Sequence, residues 1–315
     1  MARDLKGRLQ AAMAALRGPV EETPPEPVDT RPAPRDGLQS LVVVVLDSCR
    51  WDTWQRALDG GDVPHLARLG RGEKRYAYAS WTAPSHYNLL TGLMPHRSPS
   101  RVFASEVYKE EYLDYARRLG TDVSFKDLLP GLWLPGYLRN GLGYRTGAMV
   151  SLPVLNRRTG INRDFDSYRL MPSHNDMDAM VAALRFDPAR PSFWLLNVGE
   201  THYPYARAGE QVPELPHLSG VHGVAKRLDA GQGVSAAEAP EWFSDELLAS
   251  LHDRQVSTLR SLDRVFERLY DTMPPGTWVI VTADHGELFG ESGYFGHGPI
   301  AHDKVFEVPF VEGRI

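Results

Sequence analysis

The sequence holds a single cysteine, Cys49, in 315 residues, which excludes an internal disulfide and any Cys-rich metal site. It also lacks a long apolar run. The longest, Leu41 to Leu46, falls far short of the ~20 residues that a membrane-spanning helix needs. No block of lysine and arginine stands out and the net charge is −5, so nothing in the electrostatics favours nucleic acid or an anionic membrane as a partner. An anionic substrate must then be attracted locally, by a metal ion or by a few Arg and His side chains. The first 18 residues, MARDLKGRLQAAMAALRG, interrupt their Ala and Leu with charges and lack the apolar core of a signal peptide. These absences lead us to expect a cytoplasmic protein without a membrane span, acting on a small molecule.

What is present is ordinary globular composition, 42% hydrophobic and 24% charged, in a chain long enough to bury a deep core. Leu5, Leu9, Met13 and Leu16 fall on one side of a short amphipathic helix, a candidate to dock on a partner. The stretch VEETPPEPVDTRPAPRD that follows is too rich in proline and charge to pack a core and reads as an extended linker. We therefore expect an N-terminal segment over 1–36 and one catalytic domain over 37–315.

Three segments predict buried strands: LVVVVLD (41–47), SFWLLNVGETH (192–202) and WVIVTADHG (278–286). Each is an apolar run that ends in Asp, Glu or His, the layout of an open parallel sheet whose ligands bind beyond the carboxyl ends of the strands. YRTGAMVS (144–151) is a weaker fourth strand. Residues 242–270 read as one long amphipathic helix, and SHYNLLTGL (85–93) as a short one that opens after Pro84. Residues 206–240, rich in Gly, Ala and Pro, read as a surface excursion that could cover the site.

Asp284 and His285 stand together at the end of a predicted strand, and Gly286 lets the backbone turn there. A carboxylate beside an imidazole supplies two ligands to one divalent ion when the turn points them at one place; a solvated Asp-His turn is the simpler alternative. Asp47 ends another buried strand, where a carboxylate needs a partner, a cleft or a cation. A helix cap or a pairing with Arg50 would serve as well, and Arg50 with Asp52 reads as an ion pair that shapes this loop.

The segment WTAPSHYNLLTG (81–92) resembles the active-site motif of the alkaline phosphatase and sulfatase superfamily, with Thr82 in the place of the nucleophile. LVVVVLDSCRWD, GLGYRTGAMV, NRDFDSY, ETHYPY and VIVTADHGELFGESGYFGHG are similar to further motifs of that superfamily, in its order, and KVFEVPFV to the segment that follows. The resemblance implies an α/β three-layer sandwich with a mostly parallel central sheet and helices on both faces. It also implies that Asp47, Asp284, His285 and the Thr82 hydroxyl hold one divalent cation, with Thr82 attacking phosphorus. His202 and His297 then either bind a second cation or contact the phosphoryl oxygens and the leaving group, and Glu200 either joins them as a ligand or orients His202. His and Asp donors together suit zinc, and manganese also fits.

Departures from the sulfatase pattern narrow the activity. Thr82 is a secondary alcohol that cannot become the formylglycine of sulfatases, Cys49 lies in another motif, and His86 stands where sulfatases have arginine. The expectation is a phosphoric ester hydrolase working through a phosphothreonine at Thr82. The alternatives are transfer of the phosphoryl-linked group to an acceptor alcohol, a residual sulfatase, and a non-catalytic binding protein on the same fold.

Overall fold

The computed structural model describes residues 29, 31–61, 63–98, 104–122, 133–212, 226–227 and 244–315. The N-terminal helix expected over 1–18, and most of the excursion expected over 206–240, lie outside them. In chain order the strands are β1 Leu41–Leu46, β2 Glu73–Tyr76, β3 Arg145–Val150, β4 Ser167–Leu170, β5 Ser192–Val198, β6 Lys226–Arg227, β7 Trp278–Thr282, β8 Leu288–Phe289, β9 Tyr294–Gly296 and β10 Glu307–Arg314. The main helices are α1 Trp51–Asp59, α2 Thr82–Leu90, α3 Ala104–Leu119, α4 Met177–Ala183, α5 Asp245–Ser261 and α6 Asp263–Thr272.

All six residues of β1 are buried, because alternate side chains of a strand point to opposite faces and both faces are covered. Val42, Val44 and Leu46 enter one core with Trp54 of α1, Met180 of α4, Leu259 of α5 and Phe266 of α6. Leu41, Val43 and Val45 enter the other with Leu89 of α2 and Tyr115 of α3. Burying each such side chain contributes roughly 1.5–3 kcal/mol, which makes β1 the hub of three layers. The sheet runs β2-β10-β7-β1-β5-β3-β4. Strands β7, β1, β5, β3 and β4 pair in parallel, and β10 lies antiparallel to both β2 and β7. The sheet is therefore mostly parallel, as expected, with an antiparallel side. No helix among the described residues is long and apolar enough to cross a membrane.

Two helices differ from expectation. The single helix expected over 242–270 is divided at Leu262, whose N–H bonds to the Leu259 carbonyl at 3.1 Å. Asp263 starts α6, and its carboxylate accepts the backbone N–H groups of His65 and Leu66 at 2.9 and 2.8 Å. A long-range polar demand thus interrupts a continuous apolar stripe. The short helix begins at Thr82 instead of Ser85, which places the hydroxyl in the first turn.

Candidate active site

Four loops at the carboxyl ends of β1, β5 and β7 and at the start of α2 meet in one place. Asp47 follows β1 directly and is fully buried. Asn197, near the end of β5, donates to Asp47 Oδ2 at 2.8 Å, while its own oxygen accepts from Ser151 N at 3.0 Å beyond β3. Ser48 adopts a left-handed backbone, φ 62, a conformation that costs a serine energy and persists only when its surroundings impose it. Its N–H donates to Asp284 Oδ1 at 3.1 Å and its carbonyl accepts from Gln255 of α5 at 2.9 Å.

Asp284 and His285 leave β7 through a tight turn. The ligand atoms of Asp47, Asp284 and His285 lie within 4.8 Å of one another, the only such group of three among the described residues. His285 Nδ1 is 2.9 Å from the Gly286 carbonyl. A carbonyl only accepts, so Nδ1 carries the proton and Nε2 keeps its lone pair. That nitrogen lies 3.4 Å from Asp284 Oδ2, 4.0 Å from Asp47 Oδ1 and 3.4 Å from Thr82 Oγ1. Asp284 Oδ2 is buried and accepts no hydrogen bond. The ion-pair partners within reach of these carboxylates are histidines, His285 for both and His86 for Asp284 at 3.7 Å. The unsatisfied Asp284 Oδ2 and the His285 Nε2 lone pair, facing each other in a buried pocket beside Asp47, fit a divalent cation.

The electrostatics agree. Burial, reinforced by the neighbouring Asp284, pushes the Asp47 carboxyl above its ordinary range. Burial also pushes Asp284 up to about 7 and, helped by His297, pulls His285 down to about 3. Without a cation Asp47, Asp284 and His285 each resist carrying charge.

Thr82 is 4% exposed in the first turn of α2, whose N-cap, Trp81, contributes no side-chain bond. Pro84 has no N–H and Ser85 N donates to the Trp81 carbonyl at 3.3 Å, so the Thr82 and Ala83 N–H groups of that turn are the two placed for an anion. His86, one turn on, sits with Nδ1 2.9 Å from the Thr82 carbonyl.

The other expected residues are placed as follows. The His297 ring lies 4.2 Å from that of His285 and 5.4 Å from that of His202, centroid to centroid. Burial lowers the His202 pKa, but Asp47 and Glu287 together hold it above the ordinary value. Glu200 is buried, with its Oε2 accepting no hydrogen bond. One of its oxygens accepts the Met177 N–H of α4 at 2.6 Å, and burial raises it to about 7. Arg50 pairs with Asp52 through two bonds of 2.7 and 2.6 Å, and Lys304 joins Asp52 at 2.8 Å. Burial pushes the Cys49 thiol up, so it offers no competing nucleophile.

Sequence reasoning missed Glu287, Asn197, Ser48 and Tyr205. A polar residue within the apolar run of β5 was a readable signal for Asn197. Glu287 carried none, although it lies in the same motif as Asp284.

Gly286 makes the turn possible by close approach, because a Cβ there would stand 2.1 Å from the Lys304 carbonyl. Its N–H also donates to the Val305 carbonyl at 2.7 Å. Gly286→Ala should cost about 1–3 kcal/mol by overpacking, read as a lowered thermal midpoint. A change under about 0.5 kcal/mol, typical of unconstrained surface positions, would show that the turn has room to spare.

No protein-family model matches the sequence, and no curated protein matches it either. Solved structures do match. The chain is similar to a 2-O GAG sulfatase with TM-score 0.53 and 13% identity, over 88% of this chain and 64% of that one. It is also similar to the soluble domain of lipooligosaccharide phosphoethanolamine transferase A from Neisseria meningitidis, with TM-score 0.49 and 15% identity, over 90% and 79%. The C-terminal periplasmic domain of EcEptC from Escherichia coli, in complex with Zn, gives TM-score 0.48 and 16% identity over 89% and 74%. With its mostly parallel sheet between two helical layers and the likeness to the 2-O GAG sulfatase, the chain has the alkaline phosphatase and sulfatase-like fold that its motifs resemble.

Proposed function

We propose that this protein is a metal-dependent enzyme of phosphoric esters, a hydrolase that works through a covalent phosphothreonine at Thr82. The observation that carries this reading is the position of Thr82 Oγ1, at a helix start without a side-chain cap and 3.4 Å from His285 Nε2, beside two buried carboxylates grouped with that imidazole as a cation would need. Asp47, Asp284 and His285 would hold that ion, zinc best matching the donors. Bound there, the ion supplies Lewis acidity that helps the Thr82 hydroxyl lose its proton.

Thr82 Oγ then forms the bond to phosphorus as the bond to the leaving oxygen breaks. The Thr82 and Ala83 N–H groups at the start of α2 face the phosphoryl oxygens and favour their charge. His202 Nδ1 lies 3.0 Å from the Tyr203 carbonyl, so its exchangeable proton is on Nε2. Its raised pKa keeps that proton available near neutral pH for the departing alkoxide. A water then attacks phosphorus and Thr82 leaves. An acceptor alcohol in place of water would make the same site a transferase, the activity named for the Neisseria neighbour. Thr82 cannot supply the aldehyde hydrate of sulfatases, which favours phosphorus over sulfur.

The test is a panel of aryl phosphate mono- and diesters and aryl sulfates, with zinc- or manganese-loaded protein, with and without added alcohols. Phosphoester cleavage is expected, with phosphate appearing on the alcohol if the protein is a transferase. Preferential cleavage of the sulfates, or no turnover by metal-loaded protein, would overturn the proposal.

A further inference from the structure

Three imidazoles of the site share one orientation. His285 Nδ1 lies 2.9 Å from the Gly286 carbonyl and His202 Nδ1 lies 3.0 Å from the Tyr203 carbonyl. His297 Nδ1 lies 3.1 Å from Glu287 Oε1. For His285 and His202 the partner is a carbonyl, which only accepts, so Nδ1 carries the proton and Nε2 keeps the lone pair in the neutral ring; the ionised Glu287 demands the same of His297, whose Nδ1 also has the Ser48 hydroxyl 3.5 Å away. For His285 and His202 the acceptor is the carbonyl of the next residue, which no substitution removes. For His297 it is a side chain ten positions away.

That side chain is built to hold its place. Glu287 is 1% exposed, and its second oxygen accepts the hydroxyl of Tyr205, which is fully buried. Tyr205 is fixed in turn, because its carbonyl accepts from Thr258 Oγ1 of α5 at 2.7 Å and its N–H donates to the His202 carbonyl at 2.8 Å. One carboxylate therefore ties the loop that carries His297 to the loop that carries His202. The two rings meet edge to face, 5.4 Å apart.

We propose that Glu287, anchored by Tyr205, is a positioning residue that fixes His297 in its Nδ1–H tautomer and sets its spacing from His202. A carboxylate behind an imidazole also makes the ring a stronger base than a carbonyl does. His297 Nε2 is thus presented to the site, suited to a cation or to a proton shared with a phosphoryl oxygen. The kinetic part of this inference rests on the phosphoester reading above; the tautomer does not.

The test uses the 15N-labelled full chain, stripped of metal, and long-range proton–nitrogen spectra of the histidine rings. Wild-type His297 should carry its proton on Nδ1. Glu287→Gln offers one acceptor oxygen in place of two and can present its amide N–H to Nδ1, so the His297 tautomer should shift towards Nε2–H. Tyr205→Phe should leave the tautomer unchanged. On a phosphate ester, Glu287→Gln should lower kcat about 10–100-fold, the usual effect of losing a ligand-supporting carboxylate, with a much smaller change in KM. A wild-type ring protonated on Nε2 overturns the proposal outright, and it is readable even if Glu287→Gln does not fold. A folded Glu287→Gln with unchanged tautomer and kcat overturns it equally. Loss of every esterase activity with the tautomer as stated would sink the phosphoester reading instead, and leave the positioning role standing.

Discussion

Thr82→Ala should reduce phosphoester turnover by about ten-thousand-fold or more, the scale on which a covalent nucleophile is missed, while the protein folds and binds its cation. The reason is geometric. Thr82 Oγ1 lies 3.4 Å from His285 Nε2 in the first turn of α2, whereas the Ser48 hydroxyl, off that helix, faces Asp47 Oδ1 at 3.3 Å and His297 Nδ1 at 3.5 Å. The neighbouring Ser85 hydroxyl is turned away and donates to the Ala79 carbonyl at 3.2 Å. Cys49 is buried with its thiol held protonated. Deleting one hydroxyl and one methyl from a helix's first turn should move stability by only about 1 kcal/mol, near the centre of the distribution for point mutants. Thr82→Ser restores an oxygen at the same atom position and should recover most of the rate. The comparison is made by metal content, thermal midpoint and turnover on the same samples. A Thr82→Ala protein that keeps its rate when metal-replete would falsify the nucleophile assignment.

Asp284→Asn is expected to have the second largest effect, and it is opposite for binding and for stability. Asp284 Oδ1 accepts two backbone N–H groups, Ser48 at 3.1 Å and His285 at 3.0 Å, and an asparagine oxygen can keep both. The change falls on the other oxygen, the one without a hydrogen bond, which becomes an NH2 facing His285 Nε2. The cation should then bind more weakly by a factor beyond the roughly 10–100-fold that losing a supporting partner costs. The metal-free protein should become more stable at high pH.

The sign follows from linkage. Asp284 is raised in the folded state from 3.8 to about 7, so the folded protein binds a proton that the unfolded chain has released over that window. Stability from this group is complete below about pH 4 and is lost as pH rises through about 7. His285, lowered from 6.5 to about 3, works the other way over its own range, so the effect of Asp284 is isolated by the difference between wild type and Asp284→Asn. At pH 8 in chelator the variant should be the more stable, by an amount on the order of a few kcal/mol. At pH 6 cation binding to wild type should release a proton that it does not release at pH 8. Thermal unfolding with and without zinc, and calorimetry in buffers of different ionisation enthalpy, check both parts. A variant that binds zinc like wild type, or is the less stable at pH 8 without metal, would refute the account of the pocket.

Much of this was readable along the chain, because it depends on residues close together in sequence. The apolar run of β1 specifies a strand buried on both faces, and the polar residues that end β1, β5 and β7 lie where a parallel sheet binds ligands. Asp47 and the Asp284–His285 pair follow from that placement, and the resemblance of motifs adds Thr82, His202 and His297. Local pattern also misled. The stripe from 242 to 270 carries no sign that Asp263 is needed by the backbone at 65 and 66, and so the break between α5 and α6 is invisible in it.

What tertiary structure alone decided is the pairing of polar groups across long stretches of chain. Glu200 ends a strand much as Asp47 does, yet its carboxylate turns to the start of α4. Glu287 shares a motif with Asp284, yet it reaches His297 and Tyr205, partners ten and eighty-two positions away. Asn197 spans Asp47 and Ser151 because β5 lies between β1 and β3. Sequence periodicity sets which face a side chain occupies; the order of strands in the sheet sets which buried donor meets which buried acceptor.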